Sequence, residues 1–215
     1  MPLIKICGIR TYKEALAAVS LGANAIGFVF SSSKRQVDSD TVKEIISKLP
    51  PFTNAVGVFV DEEIEKVNEI AKYCGLTYVQ LHGVESPEYC SKINVPVIKT
   101  IKVKSEEDIY SMKKYNTYAF VLDSFVQGQS GGTGKVFDWN LATKASEYGN
   151  VILAGGLTPE NLLQAIKKIR PLAVDVSSGV EKDGMKDMKR MYEFVKICQK
   201  YNIQKVGMSE SCYSQ

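Results

Sequence analysis

The chain has 215 residues, with 27 basic and 24 acidic side chains and a formal net charge of +3. These charges are spread along the sequence without the clustered basic face that nucleic-acid binding needs, so no nucleic-acid partner is expected. Its longest apolar stretches, such as AIGFVF and NVILAGG, are far shorter than a membrane span, and the N-terminus lacks a basic segment followed by a long apolar core. The expectation is a cytoplasmic protein that makes no use of a membrane.

Cysteine use points the same way. Cys7, Cys74, Cys90, Cys198 and Cys212 are odd in number and form no CxxC pair, which argues against a disulfide framework. With a single histidine, His82, there is no plausible ligand spacing for a structural zinc site, so no metal is expected. Any role for Cys7 is then that of a thiol or thiolate.

In chain order, short apolar runs recur as LIKI, AIGFVF, NAVGVFV, YVQL, VIKTI, AFVL, VILA and AVDV. Most are followed by a helical period, as in TYKEALAAVSLG, DSDTVKEIISKL, DEEIEKVNEIAKYCG, TPENLLQAIKKI and KDMKRMYEFVKICQKY. Thr11 with Glu14 reads as a capping box and Thr158 precedes Pro159 with Asn161 behind it, while Gly22 and Gly75 fall where helices end. PEYCSKI reads as a short, weak helix, and FVQGQSGGTGKVFDW as a long irregular loop.

Near-continuous apolar strands alternating with helices imply a parallel sheet buried on both faces. Eight such units in one chain of this length predict a single (β/α)8 TIM barrel over residues 1–206, followed by a tail over 207–215. An open doubly wound sheet is the alternative, but its G-x-G-x-x-G turn after the first strand is missing.

In such a barrel, chemistry collects at the carboxyl ends of the strands. There stand Cys7 after strand one, Gln80 and His82 at strand four, Asp123 at strand six, Gly155 and Gly156 after strand seven, and Asp175, Ser177, Ser178 and Gly179 at strand eight. Arg35 lies just past strand two. Side-chain alternation puts Lys5 with Cys7, Gln80 with His82, Val121 with Asp123 and Asp175 with Ser177 on inward faces, leaving Ile6, Leu81, Leu122 and Val174 toward the helices. Lys5 then sits one layer below Cys7 and needs an anionic partner, Asp175 or Asp123. AGGLT and SSG, two glycine-bearing turns after successive final strands, would present backbone N–H groups to a phosphate, so a small phosphorylated substrate is expected.

The ordered set KICGIR, GFVF with SSSKRQV, VGVFV, VQLHG, VLDS, GGTGKVFDW, LAGGLTPENL and DVSSGVE with GMKD resembles the phosphoribosylanthranilate isomerase family, barrel enzymes of tryptophan biosynthesis. SKR departs from the family's more frequent proline before the arginine, and residues 207–215 have no counterpart. The resemblance implies a cofactor-free Amadori rearrangement of N-(5-phosphoribosyl)anthranilate to 1-(2-carboxyphenylamino)-1-deoxyribulose 5-phosphate. It makes Asp123 the general acid and Cys7 the general base, with Gly155, Gly156, Ser178 and Gly179 on the phosphate. Arg35 would bind the anthranilate carboxylate, Gln80, His82 and Asp175 would line the pocket, and GQSGGTG would form a mobile lid. The implied roles require a site that favours the thiolate of Cys7 and keeps the acid protonated.

Three other readings compete. Sister phosphoribosyl barrels of histidine or indole synthesis would need carboxylates that this chain lacks at the matching positions, and a non-catalytic phosphate-ligand sensor with a redox-sensitive Cys7 would have no need for Asp123. Monomer and homodimer both fit this architecture.

Overall fold

A computed structural model of the chain describes residues 2–124 and 139–210. In order, its elements are β1 (Leu3–Cys7), α1 (Tyr12–Leu21), β2 (Ala25–Val29), α2 (Ser39–Ser47), β3 (Asn54–Phe59) and α3 (Ile64–Cys74). There follow β4 (Tyr78–Leu81), α4 (Pro87–Cys90), β5 (Val97–Val103), α5 (Glu106–Ser111), β6 (Ala119–Ser124) and α6 (Trp139–Ala145). The last third holds β7 (Val151–Leu153), α7 (Pro159–Ile169), β8 (Ala173–Val176), β9 (Glu181–Lys182), β10 (Met185–Lys186) and α8 (Met188–Glu210). Strands β1 to β8 pair in sequence order and close into a parallel barrel, which rules out the open doubly wound sheet.

The expected inward and outward faces are those observed. Val56, Ile98, Ala119, Val121, Ile152, Ala154 and Ala173 form a small cluster inside the barrel. Ile6, Leu81, Leu122 and Val174 instead join the larger core between sheet and helices. Period-two alternation on strands buried on both sides produces these two cores, and it decides which polar side chains enter the barrel.

Local signals set the helix boundaries. Thr11 and Glu14 form a reciprocal capping box on α1, and Thr158 and Asn161 do so on α7. Gly22 and Gly75 end α1 and α3 in the left-handed conformation. The weak helix of PEYCSKI is only the four residues of α4.

Two features differ from expectation. A small antiparallel hairpin, β9 with β10, sits between β8 and α8, turning at Asp183 and Gly184, both at positive φ (52° and 77°). In addition, α8 continues to Glu210, past the boundary expected at 206. The expected lid GQSGGTG and Cys212 lie outside the described residues. Among the described residues, no helix is long and apolar enough to cross a membrane.

Candidate active site

Cys7 closes β1 and is buried. Its register partner on β2 is Gly27, where an added Cβ would lie 2.7 Å from the Cys7 Sγ, so glycine makes the room that the sulfur occupies. One layer below, Lys5 Nζ lies 2.8 Å from Asp175 Oδ2, and the two residues are direct register partners on β1 and β8. Of the two carboxylates expected to serve Lys5, Asp175 does so. Burial pushes the Cys7 thiol above its ordinary range, with Asp175 adding to the rise, and the Lys5 and Lys186 cations only partly oppose it. Burial thus opposes the thiolate that the expected role of Cys7 requires, and the two cations favour it. Burial also works against the Lys5 cation, but Asp175 and Cys7 carry its pKa above the usual lysine value.

Arg35 reaches over Gly8, where a Cβ would come within 2.5 Å of the Arg35 Cδ. Its Nε and Nη2 hold Glu181 in a two-point pair at 2.6 and 2.8 Å, so a carboxylate of the chain itself occupies the edge expected to face a ligand carboxylate. Lys186 Nζ completes the group, 2.7 Å from Glu181 Oε1 and 3.1 Å from the Ser177 carbonyl. Glu181 and Lys186 were missed as site residues because nothing in strand period places them there. The Asp183-Gly184 dipeptide is the signal that could have found them, since it specifies a tight hairpin whose two ends they occupy.

Burial works to raise the Glu181 carboxyl, but hydrogen bonds from Arg35 and Lys186 outweigh it and hold the group at about 2, below the ordinary value of 4.5. A depressed carboxyl stabilises the fold fully above its unfolded pKa and loses that contribution as pH falls toward the folded value. Glu181→Gln is therefore expected to unfold more easily than wild type at about pH 6, with the gap narrowing between 4.5 and 2. Acid-unfolding curves of the two proteins check this, and a gap independent of pH contradicts it.

Across the mouth, His82 follows β4 by one residue and bridges two strands. Its Nε2 is 3.3 Å from Asp123 Oδ2, while Nδ1 meets Gln80 Nε2 at 3.3 Å and Thr100 Oγ1 at 3.2 Å. With the Gln80 amide nitrogen turned to Nδ1, the matching tautomer is the one in which Nδ1 accepts and Nε2 carries its proton toward Asp123. Among the described residues, Gln80 Oε1 and Asp175 Oδ1 are buried acceptors without a hydrogen-bond partner. Such atoms carry a desolvation cost unless a donor reaches them, which fits a ligand rich in hydroxyl groups.

Gly155 and Gly156 lie between β7 and α7, and Ser178 and Gly179 in a single 3-10 turn after β8. A Cβ at Gly179 would stand 1.8 Å from the Leu157 carbonyl oxygen, so the two turns approach as closely as backbone allows. Both belong to the end of the barrel that holds Cys7, His82 and Asp123.

The family model described as N-(5'phosphoribosyl)anthranilate (PRA) isomerase matches residues 4–197. The chain belongs to this isomerase family. An N-(5'-phosphoribosyl)anthranilate isomerase of Geobacter sp. (strain M21) is 46% identical over 197 residues, 91% of this chain and 97% of that protein. The corresponding isomerase of Moorella thermoacetica is also 46% identical, over 93% of this chain and 91% of its own length.

Among solved structures, a phosphoribosyl anthranilate isomerase from Thermotoga maritima superposes with a TM-score of 0.87 at 43% identity, covering 93% of this chain and 99% of that one. A structure of the isomerase in complex with reduced 1-(o-carboxyphenylamino)-1-deoxyribulose 5-phosphate has a TM-score of 0.83 at 41% identity, with the same coverage. Another, from Thermotoga maritima, is described as mutually generated monomers of the dimeric isomerase, with a TM-score of 0.83 at 40% identity and the same coverage again.

Proposed function

We propose that this isomerase converts N-(5-phosphoribosyl)anthranilate to 1-(2-carboxyphenylamino)-1-deoxyribulose 5-phosphate as a cytoplasmic step of tryptophan biosynthesis. The observation that carries the reading is the pairing, at one end of a barrel of this family, of a buried thiol flanked by cations with an aspartate bound to a histidine. Asp123 protonates the furanose ring oxygen, and the ring opens to a Schiff base. Cys7, as thiolate, removes the C2 proton, and the resulting enolamine tautomerises to the ketone. The sequence only moves protons, with no net oxidation, so no cofactor is assigned.

The neighbouring groups fit these steps. Lys5 and Lys186 favour the thiolate against the burial that opposes it. The orphan acceptors of Gln80 and Asp175 take sugar hydroxyl protons, and the turns bearing Gly155, Gly156, Ser178 and Gly179 offer amides to the phosphate. Arg35 receives the anthranilate carboxylate on Nη1, the nitrogen its pair with Glu181 does not use. Every assigned residue comes from one chain, so a monomer and a homodimer carry the same site.

The test is an assay at about pH 7 to 8 in which phosphoribosylanthranilate is generated in situ and the loss of its fluorescence followed. Rapid loss with the wild-type protein is expected. A folded protein that leaves the fluorescence unchanged while binding phosphate ligands would favour the sensor reading.

A further inference from the structure

His82 stands on the loop between β4 and α4, and the residue after it is held from behind the sheet. On β5, Ile98 and Thr100 face the barrel interior, so Lys99 between them points to the helix layer. There its Nζ lies 2.7 Å from Glu85 Oε2 and 2.9 Å from the Gly83 carbonyl oxygen, with side chains only 3% and 1% exposed. The Glu85 carboxylate accepts the Gly83 amide on both oxygens at 3.0 Å and the Asp61 amide at 3.0 Å. Asp61 in turn accepts the Val84 amide at 2.7 Å. Gly83 is thus gripped through its amide by Glu85 and through its carbonyl by Lys99, while the His82 amide donates to the Phe59 carbonyl at 2.8 Å.

A buried ion pair is a weak source of stability, because an apolar pair of similar volume often serves as well. What an apolar pair cannot do is bind the amide and carbonyl of one loop residue. We propose that Lys99 and Glu85 are positioning residues, which fix Gly83 and thereby hold the His82 imidazole where its Nε2–H meets Asp123. Neither touches the substrate. The catalytic part of this inference rests on the reading of Asp123 as the acid.

His82 is the chain's single histidine, so its imidazole nitrogen resonances are unambiguous. The experiment compares long-range 1H–15N spectra, kcat and KM of the full-length wild type, Glu85→Gln, and the double variant Lys99→Met/Glu85→Leu. The double variant removes both charges together, so neither is left buried without its partner, while Glu85→Gln keeps an acceptor for the loop amides. The expected result is one dominant Nε2–H tautomer in the wild type and averaged tautomers in folded variants. With it, kcat falls about ten- to a hundredfold while KM stays within about twofold. Wild-type imidazole resonances in either folded variant overturn the proposal. An altered tautomer with unchanged kcat upholds the anchoring of His82 and overturns its catalytic part, whereas the reading of Asp123 as the acid falls only if Asp123→Asn keeps its kcat.

Discussion

Asp123→Asn is expected to lower kcat by about a hundred- to ten-thousandfold, the range that one general acid supplies. The amide is nearly the same size and still accepts the His82 Nε2–H, so the 3.3 Å contact and the fold survive the change. What disappears is a dissociable proton for the ring oxygen. Because the proposed phosphate turns and Arg35 lie elsewhere around the mouth, KM should move far less than kcat. Steady-state kinetics by fluorescence decay separate the two constants. A variant with kcat within about threefold of wild type would move the acid to another residue.

Asp175→Ala is expected to destabilise the fold by about 3–5 kcal/mol, the usual cost of leaving one member of a buried ion pair without its partner. Lys5 is only 3% exposed, lies on the inward face of β1, and among the described residues has Asp175 as its one carboxylate partner. Against a total stability of about 5–15 kcal/mol, this is among the largest losses that a single truncation can cause. On the alkaline side, the Lys5 charge contributes fully up to the ordinary lysine value of 10.5 and loses that contribution as pH rises through the raised folded value. Urea unfolding at neutral pH measures the loss. Lys5→Met/Asp175→Leu should recover most of it, since the desolvation cost then falls on neither charge. A midpoint for Asp175→Ala equal to that of wild type contradicts the argument.

The barrel, its helix caps and the inward faces of its strands were legible because each rests on a period or a short local motif. Lys5 and Cys7 could be placed inside from the apolar character of Ile6, which left Asp175 or Asp123 as the partner of Lys5 until the structure showed Asp175 beside it. The contacts of loop residues could not be read in the same way. Arg35 shows no sequence sign that Glu181, far along the chain, takes its two-point edge, because that contact depends on where the β9 and β10 hairpin folds back. The grip of Lys99 and Glu85 on Gly83 was likewise hidden, since a lysine within VIKTI reads only as an interruption of an apolar strand. The chemical state of Cys7 also needed the structure, for burial and Lys5 pull its thiol in opposite directions and only their balance gives the sign.

Whether Cys7 is the base is decided by the fluorescence assay at about pH 7 to 8 on wild type and Cys7→Ala side by side. Alanine leaves the room beside Gly27 partly empty and removes the sulfur, with Lys5, Asp175, His82 and Asp123 all in place. Rapid loss of phosphoribosylanthranilate fluorescence is expected with wild type, and at least about a hundredfold slower loss with the variant. Rates within about tenfold of each other, in two folded proteins, would contradict it and leave the thiol as a filler of the barrel mouth.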